Sequence, residues 1–279
     1  MKTFLVVANQ TLAGHRLLET VKQKNEEAGG NARFVLVVPR NKPQFGNVIY
    51  EDMVHDAAQV RIDLARKFLR QFGVDVVGEV GDPDPYSATM DAVPEYSPDE
   101  IIISTLPATS SGWMRRDLIE RVSDATRLPV THVEVDPTRE LLSVDVTLVV
   151  ANRTAAGDEL LAHLKKKAQQ ERQRLYVCVV PPEGGDGAAV RQARSRLAQE
   201  LDRLRAADLT AAGMVGDPDP YTATMNALQF FIMITDIVIS TLPATRSGWL
   251  RADLIERVRN ASNKPVEHVE SGGPAAQAA

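Results

Sequence analysis

The strongest constraint on this chain is an internal repeat, in which the second half of the sequence copies the first. Residues 81–90 recur as residues 216–225 with a single serine-to-threonine change. Residues 103–122 recur as residues 239–258, and three of their twenty positions differ. Each copy must form the same structural unit, because equivalent sequences bury equivalent faces. The repeat therefore predicts two domains of one fold.

Each copy alternates between strand-like and helix-like segments. Residues 3–9 form a continuous apolar run, which is typical of a strand buried in a parallel sheet. Residues 14–27 place leucine and valine at helical spacing. Later in the same copy, residues 100–105 predict a fourth strand and residues 112–126 a fourth helix. This alternation predicts an α/β fold, with a parallel sheet and helices on both faces.

The ends of the matched blocks give the domain boundaries. We predict a first domain at residues 1–136, a linker at 137–143 and a second domain at 144–271. The linker begins where Asp136 precedes a proline, which interrupts any strand. The small residues at 272–279 predict a disordered tail.

Composition excludes some classes of function. The chain has 32 lysines and arginines against 37 aspartates and glutamates, a net charge of −5, which argues against nucleic acid as a partner. Its one cysteine, Cys178, allows no internal disulfide, so a reducing cytoplasm is the expected location. No apolar run reaches the roughly 18 residues of a membrane span, so no membrane partner is expected.

Several of these features together resemble a universal stress protein domain. They are the order of elements, the Ala8-Asn9 strand end, the Gly-Asp-Pro turn after strand three and the Ile-Ile-Ser-Thr segment at strand four. The resemblance covers nearly the whole chain, twice. It implies the adenine-nucleotide alpha-hydrolase-like fold, with two tandem open sheets of five parallel strands in the order 3-2-1-4-5. It also implies that the domains dock as a pseudo-dimer within one chain, with a further homo-oligomer left open.

That strand order predicts where a ligand binds. The chain reverses its direction of travel between strands one and four, and ligands sit outside the carboxyl ends of strands at such a switch point. In the first copy the predicted ligand-binding residues are Asn9, Thr11, Ser104, Thr105, Thr109, Ser110, Ser111 and Gly112. In the second copy they are Asn152, Thr154, Ser240, Thr241, Thr245, Arg246, Ser247 and Gly248.

The ligand itself is left open between a nucleotide and a smaller anion. Many universal stress proteins bind ATP through the pattern G-x-x-G-x(9)-G-[S/T]. The matching positions here are Ile103, Leu106, Arg116 and Asp117, and then Ile239, Leu242, Ala252 and Asp253. All the glycines are missing, and an aspartate replaces the hydroxyl residue, so its carboxylate repels phosphate. No cofactor is assigned with certainty; ATP or another adenine nucleotide is the candidate, and weak binding is expected.

The loop that replaces the pattern has two interpretations. Its hydroxyl groups, its glycine and a nearby arginine can hold a phosphate or sulfate before the fourth helix. The same hydroxyl groups can instead cap that helix and satisfy turn backbone. If an anion binds, the second copy should hold it more firmly, because Arg246 stands where the first copy has Ser110.

Two other repeated residue types have a structural and a functional interpretation. Trp113 and Trp249 follow the loop, and each either packs its helix on the sheet or covers a bound base. Asp84 and Asp219 precede a proline, and a helix cap explains them better than a metal does. We assign no metal site.

Three functions remain open from the sequence. The leading hypothesis is a non-catalytic stress-response or regulatory protein with a degenerate site for a nucleotide or small anion. The second is a slow nucleotide hydrolase that uses the loops after strand four. The third is an interaction module without a ligand. Motifs of common enzyme classes are missing from the sequence, so no catalytic residue is assigned.

Overall fold

The computed structural model describes residues 1–12, 14–43, 45–46, 51–107, 118–136, 144–170, 173–243, 248–251 and 253–272. The first repeat consists of β1 Lys2–Val7, α1 His15–Glu27, β2 Ala32–Pro39, α2 Glu51–Arg70, β3 Val76–Gly81, α3 Pro85–Tyr96, β4 Glu100–Thr105, α4 Leu118–Thr126 and β5 Val130–Glu134. The second consists of β6 Val144–Val150, α5 Asp158–Ala168, β7 Gln173–Val180, α6 Gly187–Ala206, β8 Thr210–Val215, α7 Pro220–Phe230, β9 Asp236–Thr241, α8 Gly248–Arg251, α9 Leu254–Ser262 and β10 Val266–Glu270.

The two sheets have the same topology. The first runs β3-β2-β1-β4-β5, and the second runs β8-β7-β6-β9-β10. Every strand pair in both sheets is parallel. Both orders read 3-2-1-4-5 within their repeat, which confirms the predicted fold class. The first strand of each repeat is central, and Leu5 and Leu148 in these strands are fully buried.

The repeated Gly-Asp-Pro turn has a packing reason. A Cβ atom on Gly81 would lie 2.8 Å from the Cβ atom of Ala88, closer than side chains pack. A Cβ atom on Gly216 would meet Ala223 at the same distance. The third helix of each repeat therefore approaches the end of its third strand so closely that only glycine fits.

Asp84 and Asp219, three residues after these glycines, are helix caps, as predicted. Asp84 accepts a hydrogen bond from the Ser87 backbone N–H at 3.0 Å, and a proline occupies the first turn of α3. Asp219 accepts one from the Thr222 backbone N–H at 2.9 Å at the start of α7. The caps satisfy backbone donors that would otherwise lack partners.

The amino edge of each sheet carries a charged cluster, and the two clusters differ in burial. In the second repeat, Asp236 lies 2.8 Å from the Lys167 ammonium and 2.7 Å from the Arg174 guanidinium, and all three side chains are at most 10% exposed. In the first repeat, Glu100 pairs with Lys24 at 2.6 Å and Lys2 at 3.2 Å, and the Lys2 side chain is 46% exposed. Water therefore reaches the cations around Glu100 more than the cations around Asp236.

Contacts divide the chain into two compact units. The first comprises Met1–Lys42 and Arg61–Leu142, and the second comprises Pro43–Val60 and Ser143–Ala279. The sequence repeat does not indicate that Pro43–Val60 belongs with the second unit. The domain boundaries drawn from the repeat stay a prediction.

Specific contacts attach Pro43–Val60 within the second unit. The buried Asn226 amide accepts from the Phe45 backbone N–H at 3.0 Å and donates to the Phe45 carbonyl oxygen at 3.0 Å. Arg194 on α6 forms an ion pair with Asp56 at 3.3 Å. The segment is therefore held through its backbone and through charge.

In the second repeat, the segment equivalent to the predicted fourth helix is not one continuous helix. There the segment forms two helices, α8 and α9, and Asp253 before α9 has a positive φ of 50°. Aspartate tolerates this left-handed conformation better than most side chains. In the first repeat, residues 108–117 lie outside the described part of the chain, and α4 is described from Leu118.

Candidate functional site

The ends of β6 and β9 lie side by side at the carboxyl edge of the second sheet, because these strands pair directly. A cleft of about 400 Å³ opens there, which we call the β6/β9 cleft. Its lining residues are Asn152, Arg153, Thr154, Pro182, Glu183, Gly184, Pro218, Ser240, Thr241, Leu242, Gly248 and Trp249. The cleft occupies the topological switch point of the sheet, the usual ligand position in open α/β folds.

The structure brings most of the residues predicted for the second site to this cleft. Five of them line it: Asn152, Thr154, Ser240, Thr241 and Gly248. The other three, Thr245, Arg246 and Ser247, lie outside the described residues. The sequence thus located the cleft, and ligand binding by these residues stays a prediction.

One hydroxyl group in each repeat joins the two strand ends. Thr154 donates to the Ser240 carbonyl oxygen at 3.1 Å, and Thr11 donates to the Ser104 carbonyl oxygen at 3.3 Å. Both threonines are buried. This bond fixes the loop after the first strand against the end of the fourth, so these threonines have a structural role in either repeat.

The serines at the same place are different, because their hydroxyl groups have no partner. The Oγ atoms of Ser104 and Ser240 are buried and make no hydrogen bond. A buried polar atom without a partner costs free energy, typically about 1–3 kcal/mol. Ser240 lines the β6/β9 cleft, so this unpartnered hydroxyl group belongs to a lining residue of the site.

Two arginines and one glutamate form a charged group beside the cleft. Arg153 donates to both carboxylate oxygens of Glu183, at 2.7 and 2.6 Å. Arg196 on α6 donates to the same carboxylate at 2.9 Å. The hydrogen bonds from Arg153 hold the pKa of Glu183 below its ordinary value, and the same carboxylate raises the pKa of Arg153. Two positive charges face one negative charge, so the group has one positive charge in excess.

Arg196 also fixes the orientation of Asn152. It donates from its guanidinium group to the Asn152 Oδ1 atom. Asp186 caps the start of α6, the helix that carries Arg196, by accepting from two backbone N–H groups. The sequence analysis missed Arg153, Glu183 and Arg196. Only Arg153 gave a signal, since it lies between two predicted site residues.

The fifth strand of each repeat carries a histidine that contacts the end of the fourth strand. The Thr241 Oγ1 and His268 Nε2 atoms are 2.8 Å apart, and Thr105 Oγ1 and His132 Nε2 are at the same distance. Burial lowers the pKa of His268. Because Thr241 lines the β6/β9 cleft, the protonation state and the tautomer of His268 together determine whether Thr241 donates to the ring or accepts from it.

The first repeat holds its equivalent asparagine in another way. Asn9 donates from Nδ2 to the Pro39 carbonyl oxygen at 2.9 Å and to the Asn41 Oδ1 atom at 2.5 Å. Its own Oδ1 atom is buried and has no hydrogen-bond partner. Thr11, Ser104 and Thr105 lie at the adjacent strand ends, as expected. The other predicted residues, Thr109, Ser110, Ser111 and Gly112, lie outside the described part of the chain.

The residues that replace the ATP pattern are only partly described. Asp253 is exposed and is not among the lining residues of the β6/β9 cleft, whereas Leu242 lines it. Arg116, Asp117 and Ala252 lie outside the described residues. Trp249 lines the cleft and is partly exposed, so its indole ring is next to any ligand there.

Within the described ranges, no group of three or more histidine, cysteine, aspartate or glutamate side chains is arranged to hold a metal ion. The helices of the same ranges include none that combines the length and the apolar character needed to cross a membrane.

Comparisons with known proteins find similarity in solved structures. No protein-family model and no curated protein matches the chain. A universal stress protein solved in complex with cAMP is 15% identical, and the match covers 48% of this chain and 98% of that chain with a TM-score of 0.36. A universal stress protein from Archaeoglobus fulgidus DSM 4304 is 17% identical, and the match covers 98% and 97% of the two chains with a TM-score of 0.36.

The architecture of the two sheets agrees with the resemblance inferred from the sequence. Each repeat has five parallel strands in the order 3-2-1-4-5, with a central first strand and a cleft or strand-end polar cluster at the switch point. The predicted fold class, two tandem open sheets of five parallel strands in the order 3-2-1-4-5, is confirmed.

Proposed function

We propose that this protein is a non-catalytic regulatory protein of the stress response, acting in the cytoplasm. In this proposal its second repeat binds a nucleotide or a smaller anion in the β6/β9 cleft. An adenine nucleotide is the larger ligand to test, and phosphate and sulfate are the smaller ones. The observation that carries the proposal is the positive charge in excess beside the cleft, from Arg153 and Arg196 against Glu183.

Neutral donors support the same ligand class. Ser240 and Thr241 line the cleft, and the buried Ser240 hydroxyl group has no hydrogen-bond partner. Hydrogen bonds from hydroxyl and guanidinium groups suit oxygen atoms that carry negative charge. The volume of about 400 Å³ is within the range of small-molecule sites.

The charges also explain why a binding role is preferred to a hydrolase. Nucleotide hydrolysis usually needs Mg²⁺ held by carboxylates. Glu183 is the one acidic residue in the described lining of the cleft, and two arginines already occupy its carboxylate. A metal ion would have to displace both guanidinium groups, which compete strongly for this carboxylate.

One observation keeps the hydrolase as a second candidate. His268 contacts the Thr241 hydroxyl group at 2.8 Å, and a histidine beside a hydroxyl group is the arrangement of a general base with its proton donor. Phosphate release from ATP with magnesium separates the two functions. A slow hydrolase loses this release in a His268→Gln variant, whereas a binding protein releases no phosphate before or after the substitution.

A ligand screen on the full-length protein tests binding itself. Thermal unfolding should be recorded with ATP, ADP, AMP, cAMP, phosphate and sulfate, since a ligand that binds only the folded state raises the melting temperature. Calorimetry then gives the affinity of each positive ligand. A Trp113→Phe variant leaves Trp249 as the sole tryptophan, so a change in emission places the ligand at the β6/β9 cleft. No shift with any of these compounds would instead favour the interaction module without a ligand.

A further inference from the structure

The asparagine after the first strand is the same residue in both repeats, but its amide group is oriented oppositely. In the first repeat, Asn9 faces the Pro39 carbonyl oxygen at 2.9 Å. A carbonyl oxygen only accepts hydrogen bonds, so Asn9 must turn its Nδ2 group toward Pro39. Its Oδ1 atom, an acceptor, is the group left over, and it is buried without a partner.

In the second repeat the partner is a donor instead. The Arg196 guanidinium group donates to Asn152 and has no acceptor of its own, so Asn152 must turn its Oδ1 atom toward Arg196. The Nδ2 group of Asn152 is then the group left over. Asn152 lines the β6/β9 cleft, so the amide provides a donor where the first repeat provides an acceptor.

In the second repeat, the α6 helix brings Arg196 next to Asn152. Only six residues, 181–186, separate β7 from α6, whereas eleven residues, 40–50, separate β2 from α2. Arg196 precedes Leu197, whose side chain packs at Gly213, and Arg61 precedes Ile62, whose side chain packs at Gly78. The two arginines are therefore equivalent in position.

The equivalent arginine behaves differently in the first repeat. Arg61 is 5% exposed, and burial lowers its pKa to about 9. It makes no hydrogen bond to the Asn9 Oδ1 atom, which has no partner. An arginine at this helix position therefore does not by itself set the orientation of the asparagine amide. The direct hydrogen bond from Arg196 to Asn152 sets it.

We propose that Arg196 is the residue that makes the β6/β9 cleft specific for an anionic oxygen group, the phosphoryl or sulfate class. It does so in two ways: it contributes positive charge, and it holds the Asn152 amide with its N–H groups available. The equivalent place in the first repeat, with an acceptor atom left over, does not take this class. This inference rests on the proposed function, since it names the ligand chemistry of the same cleft.

The test uses the full-length protein with Trp113→Phe, so that Trp249 reports on the cleft. Inorganic phosphate, sulfate, AMP and adenosine are titrated while emission and heat are recorded. Phosphate, sulfate and AMP should bind, and adenosine should bind more weakly than AMP. Saturation with phosphate alone identifies free phosphate as sufficient, whereas binding of AMP without phosphate binding identifies a nucleotide phosphoryl group.

Two variants separate charge from amide orientation. Arg196→Met removes both contributions, and phosphate and sulfate affinity should fall by about tenfold or more, since the excess positive charge and the oriented Asn152 donor are both lost. Asn152→Asp keeps the arginine but replaces the Nδ2 donor by a carboxylate oxygen, and a similar loss is expected. Arg203→Met is the matched control: Arg203 also lies on α6 and forms an ion pair with Asp158, outside the cleft lining. It should change affinity by less than about twofold.

The outcomes distinguish this inference from the proposed function. If the protein binds the anions with a Trp249 signal and Arg196→Met and Asn152→Asp bind them equally well, the role of Arg196 is wrong and the cleft remains a ligand site. If no probe binds the protein at all, both are wrong. Thermal unfolding checks that each variant folds. Should Arg196→Met not fold, Asn152→Asp together with Arg196→Lys decides: unchanged affinity in both variants overturns the inference.

Discussion

The two repeats share the loops that surround the switch point, yet they differ in the charges and amide groups available there. In the first repeat, Asn9 bonds to backbone and to Asn41, and an acceptor atom remains. In the second, Asn152 bonds to Arg196, and a donor remains. The comparison shows that a repeated motif preserves position more strictly than chemistry, because the chemistry depends on what the neighbouring helix brings to it.

The largest expected change in stability comes from removing the central carboxylate of the more buried charged cluster at the amino edge. Burial alone would raise the pKa of Asp236, but Lys167 and Arg174 hold it below its ordinary value. Asp236→Asn removes the carboxylate that Lys167 and Arg174 share and leaves them only the more exposed Glu267 and Asp145, so we expect a loss of about 3 kcal/mol in the free energy of unfolding. Urea unfolding measures it. Glu100→Gln, beside the more exposed Lys2, should cost clearly less; equal losses would contradict the comparison.

The pH dependence of this cluster has a definite sign. The depressed pKa means that the native state binds fewer protons than the unfolded state at acid pH. The stabilisation from Asp236 is therefore complete above the ordinary pKa of 3.8 and is lost as the pH falls further, through the lower pKa of the folded protein. Asp236→Asn should remove that part of the acid sensitivity.

The next largest loss of stability is expected where Asn226 holds the segment Pro43–Val60 in the second unit. Asn226 is fully buried and makes two hydrogen bonds to the Phe45 backbone, whereas the equivalent Asp91 in the first repeat is exposed. Asn226→Asp removes the donor to the Phe45 carbonyl and places a carboxylate against it. We expect a cost of about 2–3 kcal/mol and faster proteolysis near residue 45. Asp91→Asn is the control and should change stability by less than about 0.5 kcal/mol.

A buried glutamate makes the stability of the second repeat depend on pH between about 4.5 and 8. Glu200 lies within the core beside the Cys178 thiol, and burial raises its pKa from the ordinary 4.5 to about 8. The folded protein keeps this proton while the unfolded chain releases it, so stability falls as the pH rises from 4.5 toward 8. Glu200→Gln should remove this fall and stabilise the protein by about 2 kcal/mol at pH 8. The exposed Glu256→Gln is the control; the same pH profile in both variants would refute the assignment.

The histidine behind the cleft should change anion affinity modestly. Protonated His268 must donate from Nε2 to the Thr241 oxygen, which frees the Thr241 hydroxyl hydrogen to donate to a ligand. Because burial and the nearby Arg259 lower the pKa of His268, although Glu270 opposes them, the effect appears below the ordinary 6.5. Sulfate, whose charge does not change in this range, should bind about fivefold more tightly at pH 5 than at pH 7. His268→Gln should abolish the dependence and His132→Gln should not.

The smallest effect concerns ATP in the first repeat. Without the glycines of the nucleotide pattern, and with Asp117 in place of its hydroxyl residue, ATP should bind more weakly than micromolar. Replacing Asp117 by serine together with Arg116→Gly should raise its affinity about fivefold, the equivalent of about 1 kcal/mol. Calorimetry measures this. Sub-micromolar binding of ATP to the unaltered protein would contradict the alignment itself.

Much of the architecture could be predicted because its signals are local. The apolar run from Phe4 to Val7 predicts a buried strand, and the aspartate–proline pair at residues 84–85 predicts a cap that the structure contains. The alternation of strands and helices predicted parallel sheets, and the resemblance implied their order. The strand ends then located the β6/β9 cleft, because carboxyl ends of paired parallel strands meet at one edge.

By itself the sequence determined the two sheets, their caps and the place of the candidate site. The tertiary structure alone decided which amide group each asparagine offers, and it placed residues 43–60 in the second unit. Asn152 and Arg196 are 44 residues apart, and only the short connection into α6 and the packing of that helix bring them together. The same asparagine occurs in both repeats, but neighbours that are distant in sequence determine its hydrogen bonds. The two asparagines therefore offer different hydrogen-bonding groups.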